Sequence, residues 1–257
     1  MENKPYTKIL IFSDAHINGK PFPRPSHCST VSRVINFIKP EYIINAGDME
    51  DDLLNKKLID QYKDKYLSVV GNWDEKELLG NINENDLFKE IEIKNWKICL
   101  THGGHNRVIS TQWPKYSHIW RFNKKENTFS PNKSKIDKFS DYDILILGHI
   151  HRQIHFLSDL KPKVIEPGSI NWYCHRFYEN YKNNLMVKDF LTVQNQRITG
   201  FKFGSFDVLY LYEDKAMLKE FSIIDQTVNL NKVTHPSEIM INEFKICWED
   251  KMYWFKK

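Results

Sequence analysis

The sequence predicts an α/β protein in which strands alternate with covering helices in the first half, followed by a β-rich final third. Two observations carry this. Short apolar runs rich in β-branched residues alternate with amphipathic stretches up to about residue 100, and the later segments alternate instead between apolar runs and turn residues. In order, "KILIFS" (8–13), "YIINA" (42–46), "YLSVV" (66–70) and "WKICL" (96–100) have the length and content of buried strands. Between the first two, "STVSRVINFIK" sets Val31, Val34, Ile35 and Ile38 at helical spacing, with Ser29 or Thr30 as the cap. Residues 50–63 supply a second helix, and the acidic group Glu50, Asp51 and Asp52 reads as charge favoured at its N-terminus. "YDILILG" (142–148) is another buried strand, and "KVIEPGS" (163–169) a strand ending in a turn. The last segments read as hairpins with reversals near Asn195, Glu213–Asp214 and Glu249–Asp250. Residues 106–140 mix aromatic and basic residues, with an exposed loop expected at 123–135.

With 257 residues the chain can bury a large core as one domain with insertions or a small appendage. Aromatic residues at 14% and charged residues at 27%, with few glycines and prolines, exclude a disordered or fibrous chain. A formal charge of +4 is too small on its own to argue for nucleic acid or an anionic membrane, and leaves phosphate-bearing substrates unrepelled. Cys28, Cys99, Cys174 and Cys247 show neither a CxxC pair nor clustered spacing, so they read as free thiols in a reducing compartment. No signal-like start precedes the first strand, and no apolar run nears the roughly 20 residues that span a bilayer, so a cytoplasmic protein with no membrane contact is expected.

The metal-type side chains fall just beyond the apolar runs. Asp14 and His16 follow the first, Asp48 the second, Asn72 the third and His102 the fourth, while His149 and His151 follow "YDILIL". In open sheets wound with helices, ligands collect outside the carboxyl ends of the strands, where the chain leaves the core and aims polar groups at one crevice. Taken singly, an aspartate after a strand usually caps a turn, and a lone histidine is usually structural. His149 and His151, at i and i+2, would point the same way in an extended chain.

The ordered set "SDAH", "GD", "GNWD", "THGGH" and "GHIH", with the Pro167–Ser169 turn, resembles the calcineurin-like metallophosphoesterase family. Its nearest branch is that of the small bacterial and archaeal phosphodiesterases. The resemblance runs from about residue 8 to 170. It implies a four-layer α/β/β/α sandwich, with the final third supplying much of the second sheet. It also implies two divalent transition-metal ions, one held by Asp14, His16 and His151, the other by Asn72, His102 and His149, with Asp48 bridging. Imidazole and carboxylate donors without thiolates suit Mn, the expected metal, and also Ni, Fe, Co or Zn. The implied activity is hydrolysis of phosphate esters, chiefly phosphodiesters, by a hydroxide bridging the two ions, with Asp48, Asn72 and His102 at the reacting centre. Gly71 would turn the chain sharply enough to present Asn72.

Trp73 stands where many members of the family carry a histidine, and an indole cannot transfer that proton. Either it packs on the pocket wall or it stacks on an aromatic group of the substrate. Asp74 is expected to orient the site, and His105 is a candidate replacement for the missing acid. His118, His155, His175 and His235 are expected to be structural. By the same resemblance, residues 1–215 form the phosphoesterase domain with an insertion at 106–140, which could be a lid. Residues 216–257 are a β-rich extension packed on it, or a surface for self-association. Two other functions stay open: a non-catalytic scaffold of the same fold, as in the retromer subunit of this superfamily, and a nuclease or nucleotide phosphatase. The nuclease reading requires a basic stripe with aromatic platforms, of which the insertion, with Arg121, Lys124 and Lys125, offers fragments.

Overall fold

The computed structural model describes residues 5–17, 25–74, 83–104, 119–123, 128–157, 161–170, 192–193, 198–199, 201–225 and 245–257. Strands β1 (Thr7–Phe12), β2 (Tyr42–Asn45) and β3 (Tyr66–Ser68) are parallel neighbours, linked by helices α1 (Pro25–Ile38) and α2 (Asp52–Tyr62). β4 (Phe88–Ile93) and β5 (Trp96–Thr101) form an antiparallel pair. β6 (Trp120–Asn123) and β7 (Thr128–Pro131) form a separate hairpin. β8 (Ile144–Ile146), β9 (Gln153–Phe156) and β10 (Lys163–Pro167) join β4 and β5 in a five-stranded sheet of order β4-β5-β8-β10-β9. The two-residue strands β11 (Thr192–Val193) and β12 (Ile198–Thr199) pair with each other. The long strands β13 (Phe201–Leu211), β14 (Lys215–Asp225) and β15 (Lys245–Lys256) complete a six-stranded sheet of order β15-β14-β13-β1-β2-β3.

The layering follows from strand parity, since alternate side chains leave a strand on opposite faces. In β1, Ile9 and Ile11 enter the core between the sheets, where they meet Ile98, Leu100, Ile144, Ile146 and Ile165. Leu10 and Phe12 face the other way, against Val31, Val34 and Ile35 of α1 and Leu54 and Leu58 of α2. A third cluster, of Cys99, Leu145, Leu147 and Val164 with Ile119 and Phe139, covers the outer face of the five-stranded sheet. The result is helices, sheet, sheet and a thinner outer layer, the mixed α/β sandwich expected. Among the described side chains, Cys99 and Cys247 are buried free thiols; those of Cys28 and Cys174 lie outside them. No described helix is long and apolar enough to cross a membrane.

Four expectations are corrected. α1 begins at Pro25, where the ring's fixed φ suits a first helical position, so Thr30 is a buried residue inside the helix and neither it nor Ser29 is the cap. Within 123–135, β7 and a short helix at Lys133–Ile136 take up part of the expected loop, and residues 124–127 lie outside the described residues. The reversal at Glu213–Asp214 is present, but none occurs at Glu249–Asp250. β15 runs through, and the residues between Trp248 and Met252 bulge opposite Glu220. The reversal near Asn195 lies outside the described residues, although its flanks β11 and β12 pair antiparallel. Finally, the closing strands extend the sheet that contains β1, not the second sheet, because β13 pairs antiparallel with the free side of β1.

Candidate metal centre

The carboxyl ends of β1, β2, β3, β5 and β8 meet at one crevice, and all seven donor residues named from the sequence are there. His151 Nε2 lies 3.0 Å from Asp14 Oδ1 and 3.2 Å from His16 Nε2. Asn72 Oδ1 lies 3.1 Å from His102 Nε2 and 2.9 Å from His149 Nδ1. Between these two groups, Asp48 Oδ2 is 3.2 Å from His102 Nε2 and 3.9 Å from His16 Nε2. Two sets converge closely enough to hold an ion: Asp14, His16 and His151, and Asp14, Asp48 and His102. The first coincides with a trio expected from the sequence. In the second, Asp14 also approaches the other half of the crevice.

The loops that deliver these groups are strained. Asp14, His16, Asp48, Glu50, His149 and His151 all have positive φ, between 44° and 85°. That region costs a residue with a Cβ about 1–3 kcal/mol and persists where the surroundings over-determine it. It also corrects one expectation. The chain at His149 and His151 is not extended, so the two rings diverge, His149 toward Asn72 and His151 toward Asp14. The role of Gly71 differs too. Its φ is not left-handed; space is what it supplies, because a Cβ there would lie 2.1 Å from Asp48 Oδ1 and 2.5 Å from Asp48 N. Gly104 is constrained in the same way, with a Cβ falling 2.0 Å from the His149 ring.

Hydrogen bonds hold the strained loops. The Asp74 carboxylate accepts from the backbone N–H of Asp48 (2.8 Å), Gly71 (2.9 Å) and Glu50 (2.9 Å), tying the loop after β2 to the loop after β3. Trp73 N–H donates to Asp48 Oδ1 at 2.8 Å, leaving Oδ2 turned to the histidines. Ser13 Oγ and His149 N–H both donate to Asp14 Oδ2, at 2.5 and 3.0 Å. His102 Nδ1–H donates to Ala46 O at 2.7 Å, and His16 Nδ1 pairs with Glu50 Oε2 at 3.0 Å. In both rings the Nε2 is thereby aimed at the crevice.

Glu50 and Ser13 are the site residues that sequence reasoning missed. Glu50 was assigned to the helix terminus, yet Asp51 alone makes the cap, accepting from Leu54 N–H at 2.9 Å. The signal was the position of Glu50 beside Asp48, before the helix starts. The half-buried Trp73 ring stands edge-on to His16, with centroids 5.9 Å apart. His105, His118, His175, His235, Lys124 and Lys125 lie outside the described residues.

Burial opposes charge on all these groups, and their mutual attraction decides the outcome. His102 resists burial through Asp48 and Asp14 and is pushed up to about 10. His16, likewise buried, is raised by Glu50 and Asp48. Asp14 and Asp48 fall below the ordinary carboxylate range despite burial, because His151 faces the first and His102 the second. Burial and the neighbouring His102 charge push His149 down to about 3. Burial and the nearby Asp48 charge raise Asp74 to about 7.

A family model for the calcineurin-like phosphoesterase superfamily domain matches residues 7–184 of the chain. The chain belongs to this superfamily. Vacuolar protein sorting 29 from Cryptosporidium parvum shares its fold, with 16% identity and a TM-score of 0.55 over 98% of this chain and 99% of that one. Zinc-complexed Vps29 from Entamoeba histolytica is similar at 15% identity and a TM-score of 0.53, over 95% and 99%. An archaeal phosphodiesterase aligns at 18% identity with a TM-score of 0.42, over 94% and 99%. No curated protein matches the sequence significantly.

The donor set fits the divalent ions on which this family's chemistry depends. Asp14 Oδ1 and Asp48 Oδ2 are buried, accept no hydrogen bond of good geometry and face imidazole nitrogens across the crevice. An oxygen of that kind carries a large desolvation cost unless a cation or proton meets it.

Proposed function

We propose that the chain is a dinuclear metal-dependent phosphoesterase acting on phosphodiesters. The observation that carries this reading is the convergence of seven oxygen and nitrogen donors from five strand ends on one crevice, two of them the buried carboxylate oxygens of Asp14 and Asp48 that accept no well-formed hydrogen bond. In this reading Asp14, His16 and His151 would hold one ion and Asn72, His102 and His149 the other, with Asp48 placed to serve both. Manganese is the expected metal, with Ni, Fe, Co or Zn as alternatives. When bound, such a pair supplies Lewis-acid polarisation of the phosphoryl oxygens and activation of water at neutral pH.

The chain's own residues supply placement. Glu50 and the Ala46 carbonyl engage Nδ1 of His16 and His102, so Nε2 is the ring nitrogen facing the crevice and would give up its proton as a metal ion binds. Asp74 fixes the spacing between Asp48 and Asn72 by clamping the amides of both loops. Trp73 has no titratable proton, so departure of the leaving group is unassisted at that position, and roughly 10² to 10⁴-fold of general-acid assistance is forgone. Aryl diesters are therefore the favoured class.

The test is metal content together with turnover of bis-p-nitrophenyl phosphate by manganese-loaded protein and by Asp48→Asn. The proposal expects about two ions and metal-dependent turnover, both lost in the variant. A second reading, a non-catalytic scaffold, draws on the likeness over nearly the whole chain to vacuolar protein sorting 29. It expects no turnover even with metal bound.

A further inference from the structure

We propose that the outer face of the six-stranded sheet, at the end away from the metal centre, is a docking platform for single-stranded nucleic acid. Strand register defines the face. One row runs Lys8, Tyr210, Met217, Trp254 across β1, β13, β14 and β15, and the next runs Leu10, Val208, Lys219, Met252. A Lys215–Lys256 pair lies beyond the first row. Leu10 and Val208 pack beneath the helices, which fixes these rows to the outer side. Past the helices the face is open: Trp254 is 51% exposed and Met252 44%.

Rings and ammonium groups interleave there. The Tyr212 ring contacts both Trp254, at 5.8 Å, and Tyr6, at 5.6 Å, and Tyr6 contacts Tyr210 at 5.2 Å. Lys215 Nζ lies 5.2 Å from the Trp254 ring and 5.5 Å from Tyr212. Lys219 Nζ lies 4.6 Å from Trp248 and 5.6 Å from Tyr210. The two rows and the pair beyond them contain four lysines and no carboxylate. Among the described side chains, Asp207 and Glu220 of these strands point into the sandwich toward His155, and Glu213, in the turn, faces Lys94. Lys8 is engaged with the Ile38 carbonyl at the end of α1, so Lys215, Lys219 and Lys256 carry the charge outward.

Cations alternating with flat aromatic surfaces on an open sheet suit a chain that alternates phosphates with stacking bases. An acidic peptide is read in a groove or along a strand edge; here the rings and ammonium groups run across the strands, from the edge strand β15 inward to β13, and not along that edge. The platform lies at the start of β1 and the metal centre at its end, so about 20 Å of strand separates them. The inference therefore does not depend on the proposed hydrolysis.

The test is fluorescence anisotropy with fluorescein-labelled dT12 and U12 in EDTA. Wild type should bind saturably at low salt and weaken as salt rises. The double variant Lys215→Gln/Lys219→Gln should bind about tenfold more weakly, with a log–log salt slope flatter by roughly 1.4, at about 0.7 per phosphate contact. Trp254→Ala should weaken binding by roughly 5- to 100-fold, and Trp254→Phe should restore most of it. Asp48→Asn should bind as wild type does. These platform positions are at the surface, so unchanged melting temperatures confirm that the variants are folded. Absence of saturation, wild-type binding by the lysine double variant, loss of binding in Asp48→Asn, or equal affinity for labelled octaglutamate would each overturn the proposal, the last in favour of an acidic protein partner.

Discussion

Substituting Gly71 by alanine tests the metal centre at its tightest contact. The new Cβ would lie 2.1 Å from Asp48 Oδ1, 2.6 Å from Cγ and 2.5 Å from the backbone nitrogen. A carboxylate can rotate, but a backbone nitrogen held by Asp74 cannot move without its loop. Restoring ordinary contact requires a shift of roughly 0.9 Å, whereas metal ligands tolerate about 0.2 Å. Overpacking of this kind costs about 1–3 kcal/mol, which at this chain length lowers Tm by roughly 2–12 °C. Because Gly71 is not left-handed, the substitution adds no backbone strain of its own. The expected variant is folded, melts slightly earlier, retains less than half the wild-type manganese after dialysis and turns over bis-p-nitrophenyl phosphate at least about 100-fold more slowly. Elemental analysis, a thermal melt and one kinetic assay check all three. Wild-type metal content and turnover in this variant would show that Asp48 does not occupy the position on which the dinuclear reading depends.

Three further predictions test separate parts of the argument. Glu50→Gln removes the carboxylate that orients His16, so metal affinity measured by chelator competition should fall about 10- to 100-fold while the fold is kept; an unchanged affinity would leave Glu50 without a role in the site. Trp73→Ala should retain both metals and alter the ratio of kcat/KM for aryl and alkyl diesters, whereas equal turnover of both by wild type, with chemistry limiting, would contradict the missing-acid argument. Inside the sandwich, buried His155 is raised to about 9 against burial by Asp207 and Glu220, and Glu220 is lowered to about 2 despite burial by His155 and Lys251. The histidine's contribution is full below pH 6.5 and fades as pH rises through 9, and the glutamate's is full above pH 4.5 and fades as pH falls toward 2. Urea unfolding should therefore find His155→Gln destabilised by on the order of 2 kcal/mol near pH 5.5, with the gap closing by pH 9.5; a gap independent of pH would refute the pairing.

The site was legible wherever its donors are the first metal-type side chains within four residues of a strand's end, because a strand's exit is encoded locally by the end of an apolar run. Asp14, Asp48, Asn72, His102 and His149 are of this kind. What local pattern cannot encode is the direction in which a side chain leaves a left-handed residue, so the divergence of His149 and His151 was lost. Glu50 was misread for a related reason. Before a helix, an acid favoured by the dipole and an acid reaching back to a histidine have the same sequence signature, and only the third dimension separates them. In the fold, Glu249–Asp250 looks like a reversal because turn residues also serve bulges, and pairing with Glu220 decides between the two. Sheet membership of the final third was equally hidden, since the free side of β1 is a property of the assembled sheet. The helix boundary at Pro25 was legible in principle but masked by the stronger capping signal at Ser29 and Thr30.

The hydrogen bonds that Asp74, Asp14 and Asp48 accept from the loops explain how so much strain persists in so small a region. Six left-handed residues at about 1–3 kcal/mol each rival the stability of a whole domain, about 5–15 kcal/mol. Six bonds to carboxylate groups act against that strain: three to Asp74, two to Asp14 and one to Asp48. At about 0.5–3 kcal/mol each, the upper part for those to the ionised Asp14 and Asp48, they are of comparable size. Asp74 carries half of them without reaching the crevice itself, which gives a physical reason for an aspartate two residues after Asn72. The tryptophan between these two is bound into the framework by its backbone, through Asp48, while its ring stands at the crevice beside His16. The framework thus constrains the main chain at position 73 and leaves the side chain to chemistry, so the residue there can change what the site accepts without loosening what holds it.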